Sequence, residues 1–141
     1  PITSITVMVQ KEAAERLCAQ PGTRECGAVS AAVQYYAEPE ILFEVSRGSF
    51  MPAPNVDSAV IQLRIRKEPP VDVNDEALFF RVIRAAFAQR RKTAVNSISN
   101  TLHMSKQQVT DAFEQAGVRA NSRAEALTLP EFAAIVNQLA D

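Results

Sequence analysis

Three consecutive runs decide the fold: SAVIQLRIR at 58–66, KEPPVDVN at 67–74 and DEALFFRVIRAAF at 75–87. The first alternates. Ala59, Ile61, Leu63 and Ile65 face one way and Gln62, Arg64 and Arg66 the other, which is the two-residue period of a half-buried strand. The second, with Glu68-Pro69-Pro70, reads as a connection. In the third, Phe79, Val82, Ile83, Ala86 and Phe87 follow the i, i+3, i+4, i+7, i+8 spacing of a helix that buries one stripe. The period changes across a proline-rich link. It divides the chain into an α/β part, residues 1–70, and an all-helical part, residues 71–141.

Working upstream, Ser4 to Val9 is rich in β-branched residues and almost unbroken in apolar character. It reads as a central strand of a parallel sheet, covered on both faces. A helix spans Gln10 to Ala19 and is closed by Pro21-Gly22. A second runs from Gly27 to Tyr36. Ile41 to Val45 is a short strand, followed by a loop from Ser46 to Asn55 punctuated by Gly48, Pro52 and Pro54. The strand at 58–66 then pairs antiparallel to the one before it. Downstream, Asn74 or Asp75 caps a helix expected to run to about Ser99. Ser105-x-x-Gln108 opens a second helix, which Gly117 stops. Thr128-x-x-Glu131, with Pro130 in the first turn, opens the last. The expected tail is a small domain of three main helices.

The composition is that of a globular protein: 141 residues, 47% hydrophobic and 22% charged. No apolar run is long enough to span a membrane as a helix. The start, Pro1-Ile2-Thr3-Ser4, shows no signal-peptide pattern and no initiator Met, so the chain is expected to be a piece of a longer one. Cys18, Cys26 and His103 are too few and too scattered for a structural zinc site, and no metal is expected. Both cysteines read as reduced and structural, in a cytoplasmic protein. The four glycines sit far apart and form no phosphate loop, and no GxSxG, HExxH or paired-carboxylate pattern occurs.

Charge is where the sequence departs from the ordinary. The net charge is only −1, yet between Glu76 and Asp111 there is no acidic residue against Arg81, Arg84, Arg90, Arg91, Lys92 and Lys106. Acidic residues gather elsewhere, notably at Glu38, Glu40 and Glu44. Segregated charge gives a strong local field even when the total cancels. On one continuous helix, Arg81, Arg84, Arg91 and Lys92 fall within about a 100° arc opposite the apolar stripe. Arg90 lies nearer the apolar side, which marks a bend or a buried partner. Such a run is either a solvated face or a surface for a polyanion.

Three local patterns stand out. Gln10-Lys11-Glu12, directly after a strand, is at least a polar first helical turn. In Phe50-Met51-Pro52-Ala53-Pro54-Asn55-Val56-Asp57-Ser58, prolines two residues apart stiffen a loop and hold Phe50 at its edge. That aromatic is a core plug or a platform for a stacked base. In Ala86-Phe87-Ala88-Gln89-Arg90-Arg91-Lys92-Thr93, three adjacent cations repel one another, a cost that an anionic partner such as phosphate removes.

Taken in order, MVQKEAAERL (8–17), Gln34-Tyr35-Tyr36, FxPxPxVDSAV (50–60) and AFxQRRKT (86–93) resemble the KsgA/RsmA family of rRNA adenine dimethyltransferases. That family dimethylates two adjacent adenines near the 3′ end of 16S rRNA. The resemblance implies the C-terminal portion of a Rossmann-like seven-stranded methyltransferase sheet, retaining its fifth, sixth and seventh strands, followed by a small helical rRNA-binding domain. It implies S-adenosylmethionine as cofactor of the intact enzyme. The family's Gly-rich donor loop and Asn-Leu-Pro-Tyr-type catalytic motif do not occur in this sequence, so no donor is expected to bind this chain and the chain alone is expected to be inactive. Phe50 matches the family's adenine-stacking Phe. Arg90, Arg91 and Lys92 match cations that meet rRNA of the small ribosomal subunit, and Arg81 and Arg84 extend them by the charge run alone. Two other readings are weighed against this one: a non-catalytic RNA-binding or ribosome-assembly module, and a related methyltransferase of large-subunit rRNA. A sheet lacking its first strands exposes apolar surface around Ile5, Val7 and Val9. This predicts dimerisation, strand swapping or low solubility.

Overall fold

The computed structural model describes residues 2–49, 51–52 and 55–140. Along them run β1 (Ser4–Gln10), α1 (Lys11–Cys18), α2 (Ala28–Tyr36), β2 (Ala37–Val45) and β3 (Ser58–Ile65). Four further helices follow: α3 (Glu76–Phe87), α4 (Ala94–Leu102), α5 (Lys106–Gln115) and α6 (Leu129–Ala140).

The strands form one sheet in the order β1-β3-β2, and both pairings are antiparallel. The alternation read for β3 holds from Ala59 to Arg64 but not at Ile65, which is exposed. Ala59 and Ile61 are buried and Arg64 is exposed. Ile61 lies opposite Val7 on one side and Ile41 on the other. Helix α1 covers one face through Ala14, flanked by Val9, Leu17 and Leu63. Within this chain β1 is an edge strand paired antiparallel to β3 rather than a central parallel strand; Ile5, Val7 and Met8 are exposed, as expected of a sheet without its first strands, while Val9 is half-buried. An unbroken apolar run reports that neither face carries polar side chains. It carries no information on the direction of the neighbouring strand.

The main core belongs to the helices. Phe79, Ile83, Ile98, Phe113, Phe132 and Ile135 are buried together, and α2 contributes Ala31 and Tyr35 to the same cluster. Helix α2 therefore serves two layers. On its other side, the Ser30 hydroxyl donates to the carbonyl of Arg16 and the Gln34 amide to that of Ala19. Both carbonyls lie at the end of α1, where that of Arg16 also accepts the amide of Ala19 at 3.3 Å. Between the layers, the Tyr35 and Tyr36 hydroxyls donate to the two carboxylate oxygens of Glu76 at 3.0 and 3.2 Å. The connection is also pinned. Asn137 of α6 donates to the carbonyl of Asp72 at 3.0 Å and accepts from the amide of Asn74 at 2.8 Å.

The caps read from local sequence are present. Asp75 accepts from the amide of Leu78, Ser105 from that of Gln108, and Thr128 and Glu131 bond each other's amides. Gly117, at φ +76°, turns the chain beyond α5 as expected of a helix stop. The long helix expected to reach Ser99 is instead two, α3 and α4, so the helical part has four helices rather than three. The cause is Ser97. It is fully buried, donates to the carbonyl of Ala85 at 2.5 Å and accepts from the amide of Gln89 at 3.1 Å. Helix α4 thus folds back and closes the open end of α3 with its own side chain.

Candidate nucleic-acid interface

The break between α3 and α4 is a framed turn. At one end Gln89 is held twice, its amide by Ser97 and its side chain by Asn100 at 3.2 Å. At the other, Thr93 caps α4 by accepting from the amide of Asn96 at 3.3 Å. Within the turn the amide of Lys92 donates to the carbonyl of Gln89 at 3.0 Å, and the amide of Ala94 is tied to Ser122. In Gln89-Arg90-Arg91-Lys92-Thr93, the outer residues build the frame and the three cations between them are exposed.

This geometry revises the expected helical stripe. Arg81 and Arg84 do lie on α3 and are exposed, while Phe79, Val82, Ile83, Ala85 and Ala86 are buried. Arg91 and Lys92 are not on that helix, and the arc computed for a continuous helix does not exist. Arg90 sits at the bend, and it is exposed rather than directed to a buried partner. Among the described residues every ion pair involves Lys11, Arg16, Arg64 or Arg66, and none involves Arg81, Arg84, Arg90, Arg91 or Lys92.

Two of these cations border a cleft of about 470 Å³ between the layers. Arg90 and Lys92 line it from the turn, and Arg16 and Arg24 from the α/β part, beside Glu25 and Glu125. Arg16 also pairs with Glu12 at 3.7 Å. Nothing in their local sequence marks Arg16 or Arg24. They belong to a stretch of mixed charge, and only the packing of α2 against α3 brings them to the turn. Cys26 lies in the same wall. Burial first, opposed by a hydrogen bond to Ser30 and reinforced by the charge of Glu125, pushes its thiol up, and burial does the same for Cys18. Both thiols stay protonated at neutral pH and neither is in a disulfide, as suits structural side chains.

The proline loop lies at the other end of α1, where Gln10 and Val45 both pair with Ser58. That is the carboxyl end of β1 and of β2, the end at which open α/β sheets carry their sites. Asp57 secures the loop: its carboxylate accepts from the amide of Arg47 at 2.9 Å, and its carbonyl from the amide of Lys11 at 2.9 Å. Lys11 pairs with Glu44 at 3.5 Å, so Gln10-Lys11-Glu12 has a structural use. Phe50, the candidate stacking residue, lies outside the described residues, as do Ala53 and Pro54. Among the described residues no group of His, Cys, Asp and Glu side chains could hold a metal ion, and no helix is long and apolar enough to cross a membrane.

Comparison with known proteins connects this arrangement to a family. The chain is 50% identical over 142 residues to ribosomal RNA small subunit methyltransferase A of Geobacillus sp. (strain WCH70), covering 99% of this chain and 49% of that protein. It is 50% identical over 139 residues to the protein of the same name from Lachnoclostridium phytofermentans, covering 97% and 48%. The chain thus spans about half the length of the curated relatives it matches. Among solved structures, a dimethyladenosine transferase from Plasmodium falciparum matches with a TM-score of 0.75 at 21% identity, over 95% of this chain and 56% of that one. The 23S rRNA methyltransferase ErmE matches at 0.68 and 22%, over 99% and 56%. These two likenesses are of fold, and they place the three-stranded sheet and its six helices within a methyltransferase-like α/β architecture. The model of the family described as ribosomal RNA adenine dimethylase matches residues 1–141, from one end of the chain to the other. The chain belongs to the ribosomal RNA adenine dimethylase family.

Proposed function

We propose that this chain is the rRNA-docking part of an S-adenosylmethionine-dependent enzyme that dimethylates two adjacent adenines near the 3′ end of 16S rRNA in the cytoplasm. The observation that carries this is the framed turn, with Arg90, Arg91 and Lys92 exposed, held at both ends and without a carboxylate partner. A protein gains nothing in its own stability from three adjacent like charges, whereas a polyphosphate backbone offers each a partner. Residues 71–141, with Arg81 and Arg84 alongside, are the docking domain. Residues 1–70 close the catalytic sheet. The small-subunit substrate is favoured over a large-subunit one because the relatives at 50% identity are named small subunit methyltransferase A, whereas ErmE, at 22%, shares the fold alone.

The residues present do not fit the methyl donor. The glycines are isolated, and the cleft is bordered by four cations, Arg16, Arg24, Arg90 and Lys92, against two carboxylates, Glu25 and Glu125, a balance that suits an anion and opposes a sulfonium cation. No step of the methyl transfer is therefore assigned to this chain's own residues beyond holding substrate. Phe50 is read as the residue on which the target adenine stacks. In the full-length enzyme Phe50→Ala lowers methylation and leaves RNA affinity nearly intact, whereas equal loss of both marks it as a packing residue.

The test of docking is the salt dependence of binding to an RNA carrying the 16S 3′-terminal stem-loop. Three phosphate contacts predict a slope of log K against log salt of about −2 or steeper. A slope near zero overturns the reading. A calorimetric titration with S-adenosylmethionine separates docking from catalysis: no heat of binding is expected from this chain. The free edge of β1 carries neither Pro nor charge, the usual guards against strand pairing. Self-association through it is expected as a concentration-dependent mass in sedimentation, suppressed by Val7→Lys.

A further inference from the structure

Helices α2 and α3 leave a groove of about 350 Å³ between them, lined by Val29, Tyr36, Phe80, Ile83 and Arg84. It is apolar but not covered. Val29 is 58% exposed and Tyr36 52%. Tyr36 is also held still. Its ring stacks on Phe80, with centroids 5.5 Å apart and planes 18° apart, and meets Tyr35 edge-on at 5.1 Å. Its hydroxyl is tied to Glu76. The result is an aromatic platform backed by a second ring, with an exposed arginine that has no ion-pair partner in the same groove. At Ala28 and Val29 the groove adjoins the cleft that Arg16, Arg24, Arg90 and Lys92 line.

An occupant must offer a flat apolar face and, within one residue's reach, negative charge. We propose that the groove receives an unpaired nucleotide of the bound RNA, its base against Tyr36 and Val29 and its flanking phosphate on Arg84. This rests on the docking function above and extends it from phosphates to a base. Phe80, Val29 and Ile83 offer no donor or acceptor to a base edge, so the groove selects for an unpaired base rather than for its identity. Continuity with the cationic cleft favours RNA over a peptide, since one strand can follow both.

The experiment compares two RNA stem-loops that differ only in whether the loop nucleotides carry bases or are abasic. The chain is expected to bind the base-bearing loop about 5- to 150-fold more tightly, the worth of one stacked base. Tyr36→Ala abolishes that preference, Tyr36→Phe keeps it, and the salt slope is the same in all three, because no phosphate contact changes. Val29→Glu, a change on the exposed rim, abolishes it independently should Tyr36→Ala disturb folding. Equal binding of the two loops by the unsubstituted chain, or a preference that survives both substitutions, overturns the groove assignment while a steep salt slope leaves the docking function standing. A flat slope in the unsubstituted chain overturns docking itself. Self-association that Val29→Glu removes without altering RNA affinity assigns the groove to a second copy and overturns the proposal.

Discussion

The cations of the sheet and the cations of the α3–α4 turn are treated oppositely. On the sheet, Arg64 lies directly across from Glu38 in the register and reaches both Glu38 and Glu40, at 3.5 and 3.8 Å. Arg66 meets Glu38 at 3.3 Å and Lys11 meets Glu44 at 3.5 Å. From residue 67 onward, no basic side chain among the described residues forms an ion pair. Three of the sixteen acidic residues, Glu38, Glu40 and Glu44, lie on β2 and all three are engaged by cations there. The turn keeps hydrogen bonds for its frame and leaves its charges open. A balanced total therefore says little about where a field points.

The largest effect expected from breaking this contrast is on binding. Arg90→Gln, Arg91→Gln and Lys92→Gln together should weaken RNA binding about 100-fold at 0.1 M salt and flatten the salt slope by about 2 units. Folding stability, read by urea denaturation, should stay within about 0.5 kcal/mol, because no internal partner is lost. An unchanged salt slope moves the RNA surface elsewhere.

Next is the frame. Ser97→Ala removes the buried bond to the carbonyl of Ala85, which keeps only the amide of Ala88, and leaves the part-buried amide of Gln89 without its partner. It should cost about 1–3 kcal/mol in urea denaturation. RNA affinity should fall with it although no charge has changed. A loss of stability with full RNA affinity would show that the three cations work without a fixed turn.

A pH effect reports on the seam between the regions. Burial, then the hydrogen bond to Glu76 and that carboxylate's charge, push the Tyr35 hydroxyl from 10.0 up to about 12. The folded state holds this proton more tightly than the unfolded chain. The stabilisation is complete below pH 10 and is lost as pH rises toward 12. Tyr35→Phe should remove that component from a stability profile taken between pH 9 and 12. The smallest effect belongs to the sheet. Arg64→Gln breaks two exposed pairs and should cost less than about 1 kcal/mol, with RNA affinity and salt slope unchanged.

Much of this was legible because it is local. Ser105 with Gln108, Thr128 with Glu131, and Gly117 each act within a turn of their own helix, and all behave as their spacing says. The alternation from Ala59 to Arg64 likewise fixed both faces of β3. What was not legible depends on partners far along the chain. Ala88 and Gln89 are compatible with helix, and only Ser97, returning from α4, ends α3 there. Thr93 was the local clue to a new start, hidden behind the charge of its neighbours. The antiparallel placement of β1 depends on residues 58–64, and Arg16 and Arg24 reach the turn only through the packing of α2. The cations of the turn were found by composition, but their exposure and lack of partners are properties of the fold.

Asn137 has a consequence for anyone who shortens or extends this chain at its C-terminus. One amide side chain, four residues from the last position, clasps the backbone on both sides of Val73. Removing the final turn of α6 would unlatch the strap between the sheet and the helices. An edit made at the tail would then be felt at Glu76, two residues beyond Asn74, and at the tyrosines it joins.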